Sequence, residues 1–137
     1  MLYEKLASLQ SFGLLLLRVI PGAFLIAFHG WGKLAHFSEN AAEFPDPLGV
    51  GSTVSLTLAV FAEVVCSALV VLGAATRFAA VPIVIMLLVA ATIIHADDPW
   101  QKKEFALMYA VPFLTLIFTG PGRYSVDHWF LDRRRRG

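Results

Sequence analysis

Four long apolar stretches take up most of this 137-residue chain, and they leave it one solvent to fold in. A helix crosses the ~30 Å hydrocarbon core of a bilayer with about 20 mostly apolar residues. Stretches of that kind are expected at about Phe12 to Leu34, Ser52 to Ala75, Phe78 to Ala96 and Glu104 to Thr119. With 58% hydrophobic and 15% charged residues and a mean hydropathy of +0.70, the chain holds more apolar sequence than a soluble domain of its size can bury. The expected fold class is all-α, an integral membrane four-helix bundle. It forms a single domain over residues 1–137, with a basic tail over 123–137.

The connections follow from the residues between the spans. A polar loop, His36 to about Gly51, joins the first two, and a tight turn at Thr76-Arg77 makes the second and third antiparallel neighbours. A short charged loop, Asp97 to Lys103, leads into the fourth, which Gly120-Pro121-Gly122 stops. The first apolar run is too long for a removable signal peptide, so it reads as a retained helix. Cys66 is the single cysteine and lies in an apolar segment. It excludes an internal disulfide or a Cys-x-x-Cys exchange site and reads as a packing residue.

Orientation comes from the bases. Lys5, Arg77, Arg123 and Arg133 to Arg136 fall on one side, against Lys33, Lys102 and Lys103 on the other. Both termini are therefore expected on the cytoplasmic side of a bacterial inner membrane. The run Arg133 to Arg136 follows Trp129 and Phe130, an arrangement suited to the headgroup layer, where each base attracts anionic lipid by ~1 kcal/mol. It reads as a topology anchor, with no nucleic-acid partner expected. Trp31, Trp100 and Trp129 read as interfacial anchors.

Two charges fall inside the spans, Arg18 and Glu63. A charge in hydrocarbon costs roughly 2.5 to 3.5 kcal/mol on insertion scales, so each needs a partner or a watery cavity. Arg18 lies six residues after Phe12, about 9 Å from the inner end, and Glu63 lies eleven after Ser52, about 16 Å from the outer end. A long arginine bridges the remaining difference in depth. An Arg18–Glu63 ion pair is expected between the first and second helices, either as a lock or as part of a ligand or proton site. Arg18 and His29 are eleven residues apart, close to three turns, and share a face. Pro21 frees the carbonyl of Leu17 and Pro112 that of Met108. Ala59, Glu63 and Ser67, flanked by Ala62 and Cys66, form a small-residue surface suited to close packing.

Near the outer surface His29, Lys33, His95 and Glu104 reach similar depths, and Tyr109 offers a hydroxyl to the interior. The tight His-x-x-His or His-x-x-x-His spacing of a metal site is missing, so no metal is expected. A mouth for a polar or quinone-like headgroup suits these residues better. Histidine hydrogen-bonds carbonyl oxygens and takes up protons near neutral pH, and apolar walls suit a lipophilic body. The ligand-binding candidates are Arg18, His29, Glu63, His95, Glu104 and Tyr109.

Several of these residues belong to a longer pattern. An arginine in the first helix is followed by Phe28-His29-Gly30-Trp31-Gly32-Lys33-Leu34, then by Glu63 and by Leu72-Gly73-Ala74-Ala75-Thr76-Arg77. The pattern closes with Thr119-Gly120-Pro121-Gly122-Arg123-Tyr124-Ser125-Val126-Asp127. It resembles the DoxX family from about Leu14 to Phe130. The resemblance implies a four-helix membrane bundle. It also implies relatives linked to the membrane subunit of a thiosulfate:quinone oxidoreductase, or to quinone and oxidative-stress physiology. Arg123 and Asp127 match the closing motif and, four residues apart, are expected to pair with each other in a structural cytoplasmic cap.

The function expected is that of a redox-associated inner-membrane subunit binding a quinone-like or other small lipophilic molecule. No flavin, haem or nicotinamide fingerprint is visible, and no covalently bound cofactor is expected. Electron transfer would need the quinone itself or a partner such as a soluble oxidoreductase, and a homo-oligomer is a further expectation. Two other classes stay open. One is a small proton-linked transporter or lipid-binding carrier in which Glu63 alternates between Arg18 and a proton. The other is a non-catalytic assembly factor of a membrane oxidoreductase complex.

Overall fold

The computed structural model describes residues 2–136, and among them there are helices and turns but no strand. Neither glycine nor proline occurs before Gly13, so nothing stops a helix near the start. Helix α1 accordingly covers Leu2–Ala35, beginning ten residues before the apolar stretch. A short helix α2, Phe37–Asn40, lies in the polar loop. Then come α3, Ser52–Leu72, α4, Thr76–Ile94, α5, Trp100–Thr119, and α6, Val126–Arg136.

Helices α1, α3 and α4 are long and apolar enough to cross a membrane. Helix α5 has 20 residues, but Lys102, Lys103 and Glu104 stand among its first five. Its apolar part, Phe105 to Thr119, spans about 22 Å. Helix α5 lies along α4 and touches α1, while α3 packs on α1 and α4. The buried residues of α4 and α5 include Ala79, Ala80, Ala106 and Ala110 beside Ile83, Phe113 and Leu116. Small residues let helix backbones approach, which is how helices associate where lipid is as apolar as leucine. Outward faces are apolar too: Phe78, Phe118 and Phe28 are 83%, 75% and 74% exposed. Water would not tolerate that surface, and lipid requires it.

Three wide π turns interrupt the helices, at Leu25–Gly30 in α1, Phe61–Cys66 in α3 and Ala90–Ile94 in α4. Such a turn adds one residue to the α-helical register and rotates the remainder of the helix by about 100°. Gly22 and Gly30 would lie about 80° apart on a regular helix; with the extra residue, both face α3. A Cβ on Gly22 would come 2.7 Å from Val71 Cγ2, and one on Gly30 would come 2.9 Å from Glu63 Cβ. These approaches set the antiparallel register of α1 on α3.

Helix α3 ends at Leu72, three residues earlier than the apolar pattern suggests. Gly73 takes φ +73°, its N–H donates to Val70 O at 3.0 Å, and the Ala74 N–H donates to Leu69 O at 2.9 Å. This Schellman closure moves the turn to residues 73–75. Thr76 and Arg77, expected as the turn, are the first residues of α4.

Candidate functional site

Arg18 and Glu63 do not pair. Arg18 is 1% exposed, and its guanidinium donates to Val70 O at 3.3 Å, to Val71 O at 2.6 Å and to Tyr124 O. Val70 and Val71 lie in the last turn of α3, which ends at Leu72; Val70 O also accepts the Gly73 N–H, and the carbonyls of a last helical turn carry partial negative charge. A cation is held there without a carboxylate through its two terminal nitrogens, while the buried Nε–H has no partner. Equal depth for Arg18 and Glu63 would require the apolar ends of both spans to lie flush with the membrane faces. In the observed register Arg18 meets the end of α3, and Glu63 meets Gly30, which lies twelve residues further along α1, about 18 Å away.

The partner of Glu63 is Lys33. Its Nζ lies 2.7 Å from both Oε1 and Oε2, with the carboxylate side chain 7% exposed and the lysine side chain 28% exposed. The π turn of α1 turns Lys33 toward α3, and the π turn of α3 contains Glu63 itself. Just after that turn the Ser67 hydroxyl donates to Ala62 O at 3.1 Å. Wide turns of this kind recur at functional sites. The signal available in the sequence was Gly30, the small residue that lets α1 approach α3 at the level of Glu63.

The same rotation separates His29 from Arg18. The His29 ring lies 6.0 Å from Phe105 and 5.8 Å from Tyr109, whose own rings are 5.0 Å apart. Phe105 and Tyr109 also line an apolar groove of about 580 Å³ between α1 and α5, with Leu17, Pro21, Met108 and Pro112 among its walls. Pro21 and Pro112, two of the three prolines inside helices, thus face one space, while Pro82 of α4 does not line it.

The outer group read from the sequence divides. His95 Nδ1 lies 2.6 Å from Asp98 Oδ2, which Lys102 also reaches at 3.3 Å. The His95 hydrogen bond first, and Lys102 second, hold the Asp98 carboxyl below its usual range. Glu104 is exposed on α5. Among the described residues no three His, Cys, Asp or Glu side chains gather as metal ligands. Cys66 is buried in the core.

Arg123 and Asp127 do not pair with each other. The Asp127 oxygens accept the N–H groups of Ala75 at 2.7 Å and Thr76 at 3.0 Å, and its own N–H donates to Gly73 O at 2.8 Å. Ser125 Oγ donates to Gly122 O at 2.7 Å and accepts the His128 N–H at 3.2 Å. The closing segment therefore caps the start of α4, starts α6 and supplies Tyr124 O to Arg18.

The DoxX family model matches residues 13–96. The chain belongs to the DoxX family. The matched part holds most of α1 together with α3 and α4, and it includes Arg18, His29, Lys33, Glu63 and Gly73. The likeness read as far as Phe130 is thus carried by the first three long helices, and α5 and the closing motif lie beyond it. An uncharacterized protein of Haemophilus influenzae is 30% identical to this DoxX protein, over 71% of this chain and 68% of its own. An uncharacterized membrane protein of Mycobacterium tuberculosis is 32% identical, over 69% and 73%. No solved structure matches.

Proposed function

We propose that this DoxX-family membrane protein forms a four-helix bundle in a bacterial inner membrane, with both termini cytoplasmic. It binds a quinone-like lipophilic molecule as a redox-associated subunit. The observation that carries the binding reading is the groove between α1 and α5. It is open along the outer faces of α1 and α5, where Ile20, Phe24 and Met108 are exposed, so a lipophilic molecule would reach it from the bilayer, and its walls are apolar apart from Tyr109. These residues fit a quinone. The Tyr109 phenol would donate to a ring carbonyl, Phe105 would offer an aromatic face, and Leu17, Pro21 and Met108 suit an isoprenoid tail. When bound, a quinone supplies two-electron, two-proton redox chemistry. The chain's share is to orient the ring and to hold a proton at Tyr109 Oη or on the His29 imidazole beside it. A soluble oxidoreductase is the class of partner such a subunit serves.

Native mass spectrometry with solvent extraction of gently purified protein tests the reading. The expected result is a stoichiometric quinone in the wild type and its loss in Met108→Trp, which fills the groove from α5. Tyr109→Phe weakens retention about tenfold, the worth of one hydrogen bond. Wild-type protein that carries no quinone and takes none up from quinone-doped nanodiscs overturns the proposal.

The Lys33–Glu63 pair, with its carboxylate buried and its lysine half-buried, favours a second reading, a proton-linked carrier in which Glu63 exchanges Lys33 for a proton. Solute flux in proteoliposomes that Glu63→Gln abolishes, from protein with an empty groove, selects that reading.

A further inference from the structure

A cleft of about 800 Å³ opens where α1 starts, α3 turns into α4 and α5 passes into α6. Unlike the groove, it combines apolar walls with several bases. Arg77, Arg123 and Arg134 line it together with His128 and Gln10. Among the described residues none of these three guanidiniums lies within 4.0 Å of a carboxylate, whereas Arg136 pairs with Asp132 at 3.0 Å. The one acid lining the cleft is Asp127, and both its oxygens are taken by Ala75 and Thr76 N–H groups. Arg77 donates one hydrogen bond, to Phe118 O at 3.3 Å, out of the five a guanidinium can make. Thr76 lines the cleft fully buried, and its hydroxyl has no partner. Three guanidiniums against one carboxylate leave the cleft with an excess of positive charge, which favours an anion.

We infer that this cleft is a site for a phosphate-bearing ligand, and that the ligand is the headgroup of an acidic glycerophospholipid. Guanidinium forks match phosphate oxygens two at a time, and basic pockets between membrane helices take headgroups of this class. Free phosphate would use the arginines alone. The cleft also presents Phe78, Phe130 and Leu131, which are 83%, 56% and 56% exposed. These suit the glycerol and upper acyl carbons of a lipid. The site goes beyond attraction of lipid by the Arg133 to Arg136 tail, because only Arg134 of its three arginines belongs to that tail, Arg77 coming from the start of α4 and Arg123 from the α5–α6 connection. It is independent of the groove and of any redox role.

The test is native mass spectrometry and lipid-binding titration of the full chain in phosphatidylcholine nanodiscs doped with phosphatidylglycerol. The wild type is expected to retain one phosphatidylglycerol per chain. Arg77→Gln/Arg123→Gln weakens that retention by roughly thirtyfold or more, since it removes direct phosphate contacts as well as charge, while Arg135→Gln/Arg136→Gln, with the same loss of charge outside the cleft, weakens it several times less. Arg134→Gln, on an exposed helical surface, weakens it several-fold and serves if the double cleft variant does not fold. Equal losses in the cleft and control variants, or no retained lipid in the wild type, overturn the site. Displacement of the lipid by inorganic phosphate overturns the lipid assignment.

Discussion

An arginine buried without a carboxylate partner is stable only if carbonyls replace water around it, and Arg18 finds them at the end of α3. Gly73 makes that possible. Its φ of +73° suits glycine, and an added Cβ would fall 2.5 Å from Arg18 Nη1 and from Ser125 Cβ. Gly73→Ala is therefore expected to destabilise by about 3 kcal/mol, the left-handed conformation and the displaced arginine both contributing; thermal denaturation in detergent measures it. The Lys33–Glu63 pair yields an asymmetric prediction. Lys33→Met strands a carboxylate that is 7% exposed and should cost about 3 kcal/mol. Glu63→Gln frees a lysine near the end of α1, which reaches water by extending its stem, and should cost about 1 kcal/mol. Lys33→Met/Glu63→Leu should cost less than Lys33→Met alone; additive losses would show that the two groups are not coupled. Composition and hydropathy were enough to single out Arg18 and Glu63 as charges needing partners. They could not say which partners, because that depends on how far α1 slides along α3.

At the scale of elements, the long helices were legible because each is a long apolar run, and their faces were not. Face assignments rest on 3.6 residues per turn, and the π turn at Leu25–Gly30 breaks that count between Arg18 and His29. Nothing in Leu25 to Gly30 announces a π turn by residue type. The closing motif was visible as a motif, but its role as a cap on α4 needs contacts 51 and 52 residues apart in sequence. Ala75 holds φ +48° without being glycine while Asp127 grips its N–H. Asp127→Ala should cost about 1 to 2 kcal/mol and Asp127→Asn roughly half as much, since the amide keeps one acceptor. Faster hydrogen exchange at residues 75 and 76 reports the loss. A second clasp opens α3: Asp46 accepts from Ser55 Oγ at 2.7 Å, Gly51 N–H at 2.7 Å and Val50 N–H at 3.0 Å. The Ser55 hydroxyl foremost, with those amides, holds the Asp46 carboxyl below its ordinary value of 3.8. A depressed carboxyl contributes its stability in full above that ordinary value and loses it as pH falls through the lower folded one. Carboxyl-carbon NMR should place the Asp46 midpoint below 3.8, and Ser55→Ala should raise it.

For the whole molecule, the number of crossings decides the topology, and α5 is the helix on which it turns. Three crossings would place Arg123 and Arg133 to Arg136 on the same side as Lys33, Lys102 and Lys103, leaving Lys5 and Arg77 alone on the other. The basic residues would then call for the reverse orientation. Four crossings collect Lys5, Arg77, Arg123 and the tail on one side. Two contacts support four. Tyr124 O accepts from Arg18 near the α3–α4 turn, and Asp127 caps that turn, so the chain after α5 lies at the end where α1 starts. The apolar part of α5, about 22 Å, is shorter than the ~30 Å core, and Lys102 and Lys103 at its start are long enough to extend toward the headgroups. Impermeant maleimide labelling of single-cysteine variants tests this directly, because the native Cys66 is 2% exposed and leaves an unlabelled background. Lys5→Cys and Arg135→Cys should react only from the cytoplasmic face, and Ser38→Cys and Asp97→Cys only from the other. If Arg135→Cys instead shares a face with Asp97→Cys, α5 does not cross, and the proposed bundle and its orientation are both wrong.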